Sequence, residues 1–159
     1  MELQGKKAIV FGGTSGIGLA TTKKLSAEGT DVIALSRDPS KAGQMPANVT
    51  LKQIDVLDES ALASFFEENA PFDILITAAT GGSRSIGPFL EMDLDGYKAS
   101  FAKLWGYAHV VRHGTKHLTQ NGTIVLVSGA PARKCKPGQV SLSSVGAAVE
   151  ALAKAVAPE

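Results

Sequence analysis

A chain of 159 residues with 16 Lys and Arg against 15 Asp and Glu has a formal net charge of +1. That balance excludes a basic nucleic-acid binder and an acidic solvating tail. An apolar content of 44% and a charged content of 19% exclude a disordered chain and suit one globular domain.

Residues 8–11 (Ala-Ile-Val-Phe) read as a short apolar strand, followed at once by a glycine cluster. Residues 17–28 have helical spacing, with Gly29 as the stop. A second strand is expected at 32–35, a polar turn-rich stretch at 39–48 and a third strand at 49–54. Asp58 or Ser60 suits the cap of a helix that runs to about Asn69, with Leu62, Phe65 and Phe66 inward. The fourth strand is expected at 74–77, and a loop containing Gly81, Gly82 and Ser83 at 78–88. Residues 94–118 read as one long helical stretch. Asn121-Gly122 reads as a turn, 123–127 as a fifth strand, 128–139 as a cationic loop and 140–156 as an Ala-rich last helix. Alternation of this kind predicts an α/β fold: a Rossmann-like, doubly wound parallel sheet of strand order 3-2-1-4-5. Ligands bind such sheets at the carboxyl ends of the strands, between strands 1 and 4.

The segment Phe11-Gly12-Gly13-Thr14-Ser15-Gly16-Ile17-Gly18 leaves the first strand and opens the first helix. Glycine there allows a tight turn, close approach of backbone to a pyrophosphate and close helix–strand packing. The helix N-terminus adds free N–H groups and partial positive charge. Gly18 is followed by Leu19-Ala20 and no Lys-Ser/Thr pair, so this is not a P-loop.

With these residues the chain resembles the short-chain dehydrogenase/reductase family. Gly12, Gly16 and Gly18 match its glycine fingerprint, with Phe11 in the place of a threonine. Asp55-Val56 resembles its adenine-contacting segment, and Ala78-Ala79 the end of its fourth strand. The resemblance implies a dinucleotide site formed by Gly12, Thr14, Ser15, Gly16, Ile17, Gly18, Ser36, Arg37, Asp55, Val56, Ala78 and Ala79. An NAD site wants an acid at the end of strand 2, whereas this chain has Ser36 and Arg37 there. A hydroxyl and a guanidinium suit a 2′-phosphate, so NADP is the expected cofactor.

The family's usual Asn-Ser-Tyr-Lys set is not retained. Its four positions fall on Lys103, Gly129, Leu142 and Gly146, and leucine cannot move a proton. Lys103 and Ser128 are therefore the expected catalytic residues in a divergent branch that lacks the Tyr-x-x-x-Lys motif. The expected activity is hydride transfer to or from a small carbonyl or alcohol. A catalytically silent NADP-binding protein, serving as redox sensor or scaffold, and an inactive fragment are the alternatives.

Three other features carry weaker readings. His109, His113 and His117 are spaced along one helix without a carboxylate among them, so a basic solvated face is expected and no metal site. The lone Cys135 permits no intrachain disulfide and fits a reducing compartment. No signal-peptide pattern opens the chain, and no apolar run approaches the ~20 residues of a membrane span. A cytoplasmic protein with no membrane or nucleic-acid partner follows. The resemblance further implies a homodimer or homotetramer through helices 94–118 and 140–156, with small residues such as Gly106, Ala108, Gly146, Ala147 and Ala151 at the contact. It also implies that residues 1–159 form a single NADP-binding domain truncated before strands 6 and 7. Strand 5 would then be an uncovered edge.

Overall fold

The computed structural model describes residues 2–80 and 84–159. Gly81, Gly82 and Ser83, placed by the sequence in a loop, lie outside the described residues. Five parallel strands form one sheet in the order β3-β2-β1-β4-β5. They are β1 (Lys7–Phe11), β2 (Asp31–Ser36), β3 (Val49–Gln53), β4 (Phe72–Thr77) and β5 (Leu118–Leu126). The inner strands are runs of Ile, Val, Leu and Ala because both sheet faces are covered, which removes the polar alternation of a half-exposed strand.

The helices are α1 (Gly16–Ala27), α2 (Glu59–Asn69), α3 (Leu94–Ser100), α4 (Ala102–Gly114) and α5 (Val140–Val156). Alternate residues of β1 serve opposite faces. Ile9 and Phe11 join a core with Leu62, Phe65 and Phe66 of α2 and Val110 of α4. Ala8 and Val10 join a second core with Leu25 of α1. Fully burying one such side chain contributes about 1.5–3 kcal/mol. Helix α4 lies between α2 and α5. Asp58 caps α2, accepting the Ala61 N–H at 3.0 Å, while Ser60 donates to the Asp58 carboxylate at 2.8 Å.

Two boundaries differ from the sequence expectation. The stretch 94–118 is not one helix. The Ser100 hydroxyl donates back to the Gly96 carbonyl at 2.9 Å and accepts the Ser85 N–H at 3.2 Å. The Phe101 N–H then bonds Lys98 O, a tightened last turn, and the chain restarts as α4. The fifth strand begins at Leu118 rather than 123. Asn121-Gly122 is a bulge within it and not a turn, since Phe72 pairs with Leu118 while Ile74 already pairs with Thr123. Gly122 fits there because a Cβ would meet Leu118 Cγ at 2.3 Å.

At the lower end of the sheet, Asp73 of β4 accepts the Lys7 N–H of β1 at 3.0 Å, Lys6 Nζ at 3.1 Å and the Thr119 hydroxyl of β5 at 3.2 Å. The Lys7 amide first, with Lys6 and Thr119 adding to it against a desolvation cost, holds its carboxyl below the ordinary 3.8. Strand β5 forms one edge of the sheet among the described residues, and its Val125 is 42% exposed. No helix among the described residues is long and apolar enough to cross a membrane.

Candidate functional site

The glycine turn sits where β1, β2 and β4 end. Gly12 has φ +74°, and a Cβ on it would lie 2.6 Å from Ala79 N. A Cβ on Gly18 would lie 2.0 Å from Gly12 O. Any larger residue at either position displaces backbone, so these glycines are dictated by sterics. Gly12 N–H bonds Leu35 O at 2.7 Å, and Ala78 N–H bonds Phe11 O at 2.8 Å, which draws the three strand ends together. Ser15 precedes α1 without capping it by its side chain, so its exposed hydroxyl remains beside the helix N-terminus.

A cavity of ≈ 260 Å³ opens on this turn, lined by nine of the twelve expected cofactor residues: Gly12, Thr14, Ser15, Ser36, Arg37, Asp55, Val56, Ala78 and Ala79. Gly16 and Ile17 line the neighbouring cavity instead. Gly18 lines neither, being buried against Gly12. Thr14, itself buried, donates its hydroxyl to Ser36 Oγ at 2.7 Å. The nearby Asp38 carboxylate accepts Ser40 Oγ at 2.5 Å and pairs with Lys41 at 3.5 Å. Arg37 makes no ion pair among the described residues.

The second cavity, ≈ 480 Å³, shares Ser15, Ala78 and Thr80 with the first and continues toward β5 and α5. It brings together Lys103 and Ser128, the two expected catalytic residues, although 25 positions separate them in sequence. Burial, and then the charge of Arg84, push the Lys103 ammonium below the ordinary 10.5. Its Nζ lies 5.2 Å from the centre of the Tyr107 ring, and the Tyr107 hydroxyl donates to Val127 O at 3.0 Å. Ser128 donates to Gly146 O at 3.0 Å, so its proton is committed to α5 while its oxygen borders the cavity. Leu142 and Gly146 line the same wall. Gly146 has little space for a side chain, since a Cβ would meet Ala132 Cβ at 2.9 Å.

Sequence reasoning missed Arg84, Ser100 and Ser141 as cavity residues. Arg84 carried one available signal: it is the first cation after the Gly81-Gly82-Ser83 segment that follows strand 4. The histidine reading needs correction. Glu59 of α2 faces that side of α4, 3.1 Å from His113 Nε2 and 3.5 Å from His109 Nε2. The His113 contact first, then the His109 charge, lower the Glu59 pKa. Both histidines are largely covered, and His117 stacks on Phe66 beyond the helix. No group of three or more potential metal ligands occurs among the described residues. The small-residue expectation is corrected in part. Gly106 packs against Val56, and Gly146 against Ala132, of the same chain.

Fold and site together define a Rossmann-type α/β protein with a glycine turn at the switch point of its sheet. A family model described as short chain dehydrogenase matches residues 6–159, and the chain belongs to that family. It is 26% identical to 2-keto-3-deoxy-L-fuconate dehydrogenase of Xanthomonas campestris pv. campestris, over 99% of this chain and 54% of that protein. It is 26% identical to L-xylulose reductase of Bos taurus, over 100% of this chain and 67% of that protein. A short chain dehydrogenase from Burkholderia cenocepacia J2315, solved in complex with NADP, superposes with TM-score 0.86 at 25% identity, covering 98% of this chain and 66% of that one. The chain thus spans about half to two thirds of the length of these relatives.

Proposed function

We propose that the protein binds NADP(H) along the two joined cavities and transfers hydride to or from a small carbonyl or alcohol. The observation that carries this reading is the shared wall. Ser15, Ala78 and Thr80 connect a glycine cradle that a Cβ would fill to a cavity containing an ammonium and a hydroxyl. Gly12, Ser15 and Gly16 would hold the pyrophosphate, with Gly18 allowing the close packing behind them, Asp55 and Val56 the adenine, and Ser36 and Arg37 a 2′-phosphate. Engagement of Asp38, the next residue in sequence, by Ser40 and Lys41 favours this, because that carboxylate is already paired. When bound, the nicotinamide supplies or accepts the hydride.

The chain's own residues handle the proton. Lys103, desolvated and facing Arg84, gives up its proton more readily than an ordinary lysine. With the hydride supplied by the bound cofactor, Lys103 Nζ would give its proton to the carbonyl oxygen and be reprotonated from solvent. Ser128 can donate to the same oxygen only if its hydroxyl turns away from Gly146 O. The small exposed residues Ala147 and Ala151 of α5 and the 61% exposed Trp105 of α4 support assembly into a homodimer or homotetramer through these helices.

NADPH fluorescence titration and NADPH oxidation over a panel of small carbonyls test the reading. As an acid, Lys103 works below its folded pKa, so reduction falls as pH rises through a value under 10.5. Lys103→Ala should lower kcat by about 10²-fold, abolish that alkaline limb and leave NADPH affinity unchanged. Tight NADPH binding without turnover on any carbonyl would instead establish the silent cofactor-binding alternative.

A further inference from the structure

The cavity that holds Lys103 has an uneven charge inventory. Two cations, Arg84 and Lys103, line it, and no carboxylate does. Neither cation makes an ion pair among the described residues. Two acids close to the cavity in sequence have other work, while Glu91 and Asp95 do not line it. Asp93 accepts the N–H groups of Asp95 and Gly96 at 3.1 and 3.0 Å as the cap of α3. Glu150 binds Arg133 Nε through both oxygens at 3.1 Å. Lys103 is partly desolvated and Arg84 is exposed on the same wall, and an incoming anion offsets the repulsion between the two charges.

The backbone next to Arg84 is held in place. The residue after it, Ser85, gives its N–H to Ser100 Oγ at 3.2 Å, and its carbonyl accepts the Ser141 hydroxyl. Ser100 and Ser141 are both buried, so α3 and α5 grip the backbone beside Arg84 from two directions. Lys103 is positioned separately, over the Tyr107 ring. The two cations therefore enter one cavity from different elements, with different chemistry. A guanidinium fork suits a planar carboxylate, and a compact ammonium suits a single oxygen. The cavity volume lies within the range of about 300–1,000 Å³ usual for ligand pockets.

We propose that the substrate of this site is a carbonyl compound bearing a carboxylate, a small oxo acid or the matching hydroxy acid, with Arg84 as the residue that recognises the carboxylate. The assignment rests on the oxidoreductase reading above and adds to it the charge of the substrate.

The test compares acetoacetate with methyl acetoacetate, and 2-oxobutyrate with its methyl ester, in NADPH oxidation by the full chain. The acids are expected to exceed their esters in kcat/KM by about tenfold or more. Arg84→Gln should reduce that preference to about threefold or less, with NADPH affinity unchanged; Arg84→Lys should fall between. Esters reduced as well as the acids, or a preference untouched by Arg84→Gln, would overturn the proposal while the oxidoreductase reading stands. A loss of NADPH affinity in Arg84→Gln equal to its loss of acid preference would also overturn it, by assigning the guanidinium to a cofactor phosphate. If no carbonyl is reduced, calorimetry of acetoacetate on the NADP-loaded protein separates the two. Saturable binding that Arg84→Gln removes supports the carboxylate site and defeats the oxidoreductase reading; no binding defeats the carboxylate site.

Discussion

At the turn between β1 and α1 the backbone itself fixes which residues can stand there, whereas the wall of β5 and α5 is set by side chains that can change one at a time. Gly18 touches the Gly12 carbonyl and Gly12 touches the backbone of Ala79, so substitution at either moves main chain. Across the groove, the sequence resemblance assigns Leu142 and Gly146 to the family's Tyr and Lys positions, and the helix around them is intact. On the proposed reading, the contrast explains how a dinucleotide cradle would survive divergence that removes a proton-transfer set. The first is required by the fold whether or not a ligand binds; the second would be required by chemistry alone.

Matched glycine substitutions put this to the strongest test. Gly18→Ala should destabilise the protein by about 3 kcal/mol and abolish NADPH binding, read from urea midpoints and fluorescence titration. Asp73→Asn acts at the opposite end of the sheet and should cost about 1.5 kcal/mol with NADPH affinity unchanged, which would confine the contrast to the carboxyl ends of the strands. Its sign with pH is defined. The folded pKa of Asp73 lies below the unfolded value near 3.8, so its contribution is present above that value and is lost as pH falls through the folded pKa. Acid unfolding of Asp73→Asn should accordingly lack that component. Arg37→Glu should weaken NADPH binding at least tenfold, about 1.4 kcal/mol, while NADH affinity changes less than threefold. Equal losses would break the assignment of Arg37 to a 2′-phosphate. The smallest effect is expected from Gly146→Ala, about 1 kcal/mol. Its closest contact is Ala132 Cβ at 2.9 Å, so the single turn at Ala130–Ala132 must shift, rather than the end of a sheet strand. A loss as large as that of Gly18→Ala would erase the distinction between the two regions.

The same distinction explains what was legible in the sequence. The sheet order and the existence of every strand follow from apolar runs separated by turn chemistry, signals carried within a few residues. The glycine turn is legible because glycine is demanded by local geometry. The interruption at Phe101 was not legible, because it depends on Ser100 meeting Ser85 across a loop. The bulge at Asn121-Gly122 resembles a turn locally and becomes a bulge only when β5 pairs with β4. Lys103 and Ser128 were placed by resemblance, and their meeting in one cavity depends on how α4 crosses the end of β5. Arg84 was overlooked because its role depends on both α3 and α5. Glu59 was missed as a partner of His113 for the same reason, with 54 positions between them.

The three bonds that Asp73 accepts have a consequence for how the molecule opens. They clamp β1, β4 and β5 at their amino ends, while the carboxyl ends of the same strands run out into loops around the cavities. Local unfolding then starts from the ligand side and stops at the clamp. Amide hydrogen exchange should record this as a gradient along each strand, slow near Lys7 and Asp73 and faster toward Phe11 and Thr77. A bound cofactor would flatten that gradient by protecting the fast end alone.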